Sequence, residues 1–140
     1  MTEFRHITPN FAVAAQLGDA DFARAAAAGF KAVVNNRPDG EAPDQLAGAS
    51  AQEAAAAAGL AYYALPFKGA PPPGVVAEMA AILEASRSGP VLAYCRTGTR
   101  SITAWAMSQA LSGVHGADEL IALAAGAGYD LNGARGTVER

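Results

Sequence analysis

Thiols are almost absent from this chain: one cysteine, Cys95, stands among 140 residues. That excludes an intramolecular disulfide and any cysteine-rich zinc site. Positive charge is in deficit, with 10 Lys and Arg against 13 Asp and Glu and a net charge of −3. A nucleic-acid partner is therefore not expected, because its electrostatic footprint is a basic face. No apolar run approaches the roughly 20 residues that a membrane-spanning helix needs, so no membrane partner is expected either. The first ten residues are mixed polar and carry no signal-peptide core. Together with the lone thiol this sets the expectation of a reduced, cytoplasmic setting. Histidine is scarce too, at two residues, and no metal site or cofactor is read from the sequence.

What is present is apolar and small. Hydrophobic residues make up 51% of the chain, many of them alanine. A chain of this length is large enough for one domain, 1–140, with a real core. Residues 4–17 read as two short strands around a turn at Pro9 and Asn10. Asp19 is an expected N-cap for a helix to residue 28, stopped by Gly29. A β-branched strand over 31–35 leads into a loop over 36–49, rich in Pro, Gly and Asp. Ser50 and Glu53 have capping-box spacing and open an alanine-rich helix that ends at Gly59. A strand over 60–65, a proline-closed loop over 66–73 and a helix over 75–86 follow. The last elements are a strand over 91–94, helices over 101–111 and 117–125, and a loosely held tail beyond residue 131. Strands separated by helices imply an α/β domain with a mainly parallel sheet flanked by helices. Ligands of such sheets bind beyond the carboxyl ends of the strands.

Cys95 stands at such a strand end. The apolar run 91–94 stops there, and Cys95, Arg96, Thr97, Gly98, Thr99 and Arg100 lead into the next helix. Backbone N–H groups and the positive end of a helix then face the sulfur, with Arg96 and Arg100 adding full charges. This setting favours a thiolate and an anion beside it. Gly98 allows a positive-φ turn with close backbone approach. Arg100 can fork onto an oxyanion, and Arg96 either does the same or points to solvent. Ser101 can cap the helix or donate its hydroxyl to the Cys95 thiolate.

Two known patterns resemble this loop. Tyrosine and dual-specificity phosphatases carry Cys, five residues, Arg, then Ser or Thr. Rhodanese-type sulfurtransferases often carry Cys-Arg-x-Gly-x-Arg, one residue shorter. Here four residues separate Cys95 from Arg100, which matches the rhodanese loop. A shorter loop closes more tightly and suits a sulfane sulfur. The remaining chain lacks rhodanese features. It is similar to the phosphatase-like domain of the bacterial beta-lactamase hydrolase-like family, which occurs alone or fused to a sulfur dioxygenase. The resemblance rests on the stretches 7–11, 34–41, 89–101 and 128–131. It implies a cysteine-phosphatase-like fold, sulfur transfer as the chemistry, and functional coupling to a sulfur dioxygenase.

Other candidates are less specific. Asn36, Arg37 and Asp39 follow a strand and either shape the pocket and orient Arg100, or form a turn with a solvated charge. The 66–73 loop, where cysteine phosphatases usually keep an aspartate general acid, has none. Its Lys68 either attracts an anionic donor or is an exposed loop lysine, and Phe67 either walls the pocket or anchors the loop. His6, His115 and Trp105 read as structural. Tyr94 stands where tyrosine phosphatases typically have histidine.

The sequence-based expectation is a sulfurtransferase. Cys95 takes sulfur from thiosulfate or a glutathione-type persulfide, Arg100 and the loop hold the Cys95 persulfide, and a thiol or sulfite accepts the outer sulfur. Two alternatives stand beside it. One is a phosphatase working through a Cys95 phosphocysteine, and the other is a non-catalytic anion- or protein-binding module.

Overall fold

The structure, a computed structural model, describes residues 2–87, 89–113 and 115–132. The tail from residue 133, expected to be loosely held, lies outside the described residues. The elements follow the expected order. Strands β1 (Arg5–Thr8) and β2 (Phe11–Ala14) form a hairpin, followed by helix α1 (Asp21–Ala27) and strand β3 (Ala32–Asn35). Helix α2 (Gly48–Ala57), strand β4 (Ala61–Ala64) and helix α3 (Pro73–Ala85) come next. Strand β5 (Val91–Tyr94) and helices α4 (Thr99–Ser112) and α5 (Ala117–Gly126) are the last elements among the described residues.

The sheet order is β1-β2-β5-β3-β4. Only the β1–β2 hairpin is antiparallel; β2, β5, β3 and β4 run parallel. Residues of β5 alternate between two cores, as the period of two requires. Val91 and Ala93 pack with α3, α4 and α5, while Leu92 and Tyr94 pack with α1 and α2. Trp105 lies in the first core and stacks on Phe11 with ring centroids 5.3 Å apart. Tyr94 lies in the second, edge-on to Phe22. No helix among the described residues is long and apolar enough to cross a membrane.

Three expected helix caps are corrected. Helix α1 begins after Ala20, not at Asp19, and the Asp21 carboxylate accepts the Gly18 N–H at 2.8 Å. Helix α2 begins at Gly48, two residues before Ser50, and Asp39 reaches from the preceding loop to accept the Gly48 N–H at 2.8 Å. Helix α4 begins at Thr99, so Gly98 occupies the cap position and Ser101 sits inside the first turn.

Parallel register fixes the place of the site. Ala14, Tyr94, Asn35 and Ala64 form one row across the sheet at the carboxyl ends of their strands. The loops that follow these residues, including the one carrying Cys95, emerge along a single edge.

Candidate active site

Cys95 continues β5 by one step, and its N–H donates to the Ala14 carbonyl at 3.4 Å. The chain then turns back on itself. The Gly98 N–H donates to the Cys95 sulfur at 3.1 Å, so the loop curls round the sulfur as expected. Gly98 adopts a φ of +97°, a region that costs other residues roughly 1–2 kcal/mol. Space imposes a second constraint. A β-carbon at Gly98 would lie 2.2 Å from the Tyr129 hydroxyl oxygen. That hydroxyl donates to the Thr97 carbonyl at 3.1 Å and braces the loop from outside.

Arg100, in the first turn of α4, is half-buried and firmly held. Its Nη1 donates to Glu41 Oε2 at 2.9 Å and to the Phe67 carbonyl at 3.2 Å, and its Nη2 donates to Glu41 Oε1 at 2.7 Å. Glu41 also accepts from Arg37 Nε at 2.9 Å. Arg37 is buried, and its Nη1 donates to Gln16 Oε1 at 3.1 Å. The solvated-charge reading of Arg37 is thereby corrected: the arginine is a structural link between two loops. The hydrogen bond from Arg100, with that from Arg37 behind it, holds the Glu41 carboxyl down to about 2, against a smaller opposing effect of burial. The Glu41 hydrogen bond in turn raises the Arg100 guanidinium above its ordinary value; burial opposes this, and the charge of Cys95 adds to it. Both groups are charged at neutral pH.

Behind the loop, Asn36 ties three elements together. Its N–H donates to the Tyr94 carbonyl at 2.8 Å, and its Nδ2 donates to the Leu65 carbonyl at 2.9 Å. Its Oδ1 accepts the Ser101 hydroxyl at 2.8 Å. Ser101 and Asn36 are fully buried. Both expected roles of Ser101, helix cap and donor to Cys95, are replaced by this one.

The remaining candidates divide. Arg96, Thr97 and Thr99 lie on the exposed rim, with the Thr97 hydroxyl on that of Thr99 at 3.2 Å. Lys68 is exposed, next to the Phe67 whose carbonyl anchors Arg100. Asp39 follows its strand as expected, but its carboxylate is engaged by α2. Tyr94 contributes to the core beneath α1 and α2; burial, and then the charge of Tyr62, push its phenol far up, so it remains neutral. His6 stacks on Phe30, and His115 pairs with Glu119. A cavity of about 550 Å³, lined by Phe11, Val91, Trp105 and His115, lies at the opposite end of the strands from Cys95. No group of three His, Cys, Asp or Glu among the described residues is placed to hold a metal ion.

Sequence reasoning missed Glu41, Gln16 and Tyr129 as parts of this site. The four-residue spacing from Arg37 to Glu41 is a weak signal for the first. Gln16 and Tyr129 reach the site only through tertiary packing.

The chain and its fold are similar to known proteins. Residues 3–112 match the family described as Beta-lactamase hydrolase-like protein, phosphatase-like domain. A Beta-lactamase hydrolase-like protein of Agrobacterium fabrum is 35% identical over 136 residues, covering 96% of this chain and 31% of that protein. One from Xylella fastidiosa is 34% identical over 134 residues, with the same coverage. The chain thus spans about a third of the length of these relatives. Among solved structures, a candidate phosphatase from Neisseria meningitidis superposes with a TM-score of 0.83 at 29% identity, covering 96% of this chain and 94% of that one. Tk-PTP superposes with a TM-score of 0.73 at 20% identity, covering 96% and 92%. TpbA of P. aeruginosa in complex with pTyr gives 0.63 at 19% identity, covering 92% and 76%. These likenesses favour the phosphatase alternative over the sulfurtransferase expected from loop length. The fold is that of the cysteine phosphatases, and the chain belongs to the family of beta-lactamase hydrolase-like phosphatase-like domains.

Proposed function

We propose that the chain is a cysteine-dependent phosphatase that hydrolyses phosphate monoesters through a phosphocysteine at Cys95. The observation that carries the reading is a buried thiol whose sulfur accepts the Gly98 N–H, at the start of a helix whose first turn holds Arg100 in place. The family and the phosphatase fold support the same reading.

Two displacements make up the reaction. The Cys95 thiolate attacks phosphorus, an S–P bond forms, and the ester P–O bond breaks with its electron pair leaving on the departing oxygen. Water then attacks phosphorus, the S–P bond breaks, and the thiolate is restored. The proton from water passes to the released phosphate or to solvent. Arg100 and the helix end balance the negative charge on the transferring group. Gly98, Thr97 and Thr99 bring backbone around it, and Arg96 and Lys68 add positive charge at the entrance.

Among the described residues, neither Glu41 nor Asp39, both of the loop after β3, is free to protonate the leaving group. Glu41 is ionised and gripped by two arginines. Asp39 is engaged by α2. The reading therefore includes a preference for esters whose leaving group departs readily as an anion. Aryl phosphates are the first to test, and the pTyr complex of TpbA supports that choice.

Sulfur transfer is kept as the second reading because of one feature, the four-residue spacing between Cys95 and Arg100. Paired assays on one preparation decide between them. Aryl phosphate hydrolysis that is lost in Cys95→Ser, with no thiosulfate or glutathione persulfide sulfur transfer, supports the phosphatase. The reverse pattern refutes it.

A further inference from the structure

We propose that the cavity at the amino ends of the strands is a second binding site, for an uncharged aromatic molecule that carries an amide-like hydrogen-bonding head. It lies at the far end of the sheet from Cys95 and does not depend on the chemistry there.

Several elements meet to form the cavity. Phe11 and Val91 line it from the starts of β2 and β5, Leu83 from α3, Trp105 from α4 and Leu123 from α5. Its volume of about 550 Å³ falls in the range of roughly 300–1,000 Å³ that small-molecule pockets occupy. The apolar lining includes a fixed aromatic pair. Trp105 and Phe11 stack with an interplanar angle of 8°, and each is only 2% exposed. The core around these rings holds them, so the surface they offer is preformed.

Charge around the cavity is already paired. Arg87 bonds to Glu84 at 3.1 Å, and His115 bonds to Glu119. The groups left over are neutral. The side-chain amides of Asn10 and the half-buried Gln109 line the cavity and make no hydrogen bond among the described residues. The Trp105 indole N–H makes none either. Only the Tyr94 hydroxyl, among the described residues, is both unpartnered and sealed from solvent. The Trp105 N–H is therefore not sealed, and the cavity is the space that this buried residue lines.

These groups select the head of the ligand. An indole N–H only donates, whereas the two amides both donate and accept. An amide head offers a carbonyl to the first and N–H groups to the others. A carboxylate head accepts only, and it would bring a second negative charge beside Glu119. A rival role is a greasy cleft that takes any apolar ring. Such a cleft would be indifferent to the head, which separates the two.

Trp105 is the only tryptophan, so nitrogen-labelled protein gives a single indole N–H signal by NMR. The probes are indole-3-acetamide, indole-3-acetate and 3-methylindole, which share a ring system and differ in the head. The acetamide should shift the Trp105 signal saturably, with a Kd of about 1 mM or tighter at ordinary ligand efficiency. The acetate and 3-methylindole should bind roughly two- to tenfold more weakly, the worth of one hydrogen bond. Gln109→Leu, which removes one amide at similar size, should weaken the acetamide by a similar factor. Tungstate, a phosphate-shaped anion directed at the Cys95 loop, should not compete with the acetamide. No saturable shift overturns the proposal, as does equal or tighter binding of either other probe. Unchanged acetamide affinity in Gln109→Leu, or competition by tungstate, also overturns it. Should Gln109→Leu fail to fold, the three probes on the wild type decide alone. No readout requires turnover, so a failure to hydrolyse esters counts against the phosphatase and not against this site.

Discussion

Replacing Gly98 with alanine tests the geometry of the cysteine loop at its tightest point. A φ of +97° costs a non-glycine residue roughly 1–2 kcal/mol. The added methyl would also stand 2.2 Å from the Tyr129 hydroxyl oxygen, so Tyr129 has to move. Its hydrogen bond to the Thr97 carbonyl is then lost, at about 0.5–1.5 kcal/mol. The sum is about 1.5–3.5 kcal/mol, a large fraction of the roughly 5–15 kcal/mol that stabilises a typical domain. For a domain near this size, about 2–4 °C of Tm is lost per kcal/mol, which predicts a fall of roughly 3–14 °C by calorimetry. Tungstate binding should fall with it, because the residue that donates to the Cys95 sulfur is displaced. The comparison that isolates the cause uses a Tyr129→Ala background. There the collision is absent and only the backbone cost of about 1–2 kcal/mol should remain. An unchanged Tm for Gly98→Ala with full tungstate affinity, or an equal loss in both backgrounds, would refute this account of the loop.

Two further outcomes follow from the carboxylates around the site. Without a free acid for the leaving group, hydrolysis rates across a series of aryl phosphates should fall steeply as the phenol becomes less acidic; alkyl phosphates should lag by about the 10²–10⁴-fold that general acids supply. A flat dependence would mean that an acid has been overlooked. Glu41 is held down to about 2 from an ordinary value of 4.5, so its ion pairs contribute stability fully above about pH 4.5, and that contribution fades as pH falls toward 2. The Tm difference between wild type and Glu41→Gln should therefore be constant from neutral pH to about 5 and shrink on further acidification. A difference that persists undiminished at pH 2 contradicts it.

Much of this fold was legible because its signals are local. The 91–94 strand agrees residue for residue with β5, and Gly98 after Cys95 announced the tight turn. The helix starts were not legible at Asp19, Ser50 and Ser101. At Ser50 and Ser101 the local cap pattern lost to tertiary partners: Asp39 lies nine positions from the N–H that it accepts, and the Ser101 hydroxyl donates to Asn36, 65 positions away. Glu41 was hidden for a related reason. A glutamate among prolines and glycines reads as solvated, and its partner Arg100 lies 59 positions away. Loop length pointed toward sulfur transfer, whereas fold and family point toward phosphatases. The spacing of two residues is a local property. The sheet order and the Glu41–Arg100 pair are properties of the whole chain.

The central claim is a covalent phosphoryl intermediate on Cys95, and rapid-quench mass spectrometry of the intact protein tests it most directly. Protein mixed with an aryl phosphate and quenched in acid should carry one added phosphoryl group, mapped to Cys95 and absent in Cys95→Ser. Protein mixed with thiosulfate or glutathione persulfide under the same conditions should carry no added sulfur. A Cys95 persulfide from either sulfur donor, with no phosphoryl adduct from the ester, would contradict the account.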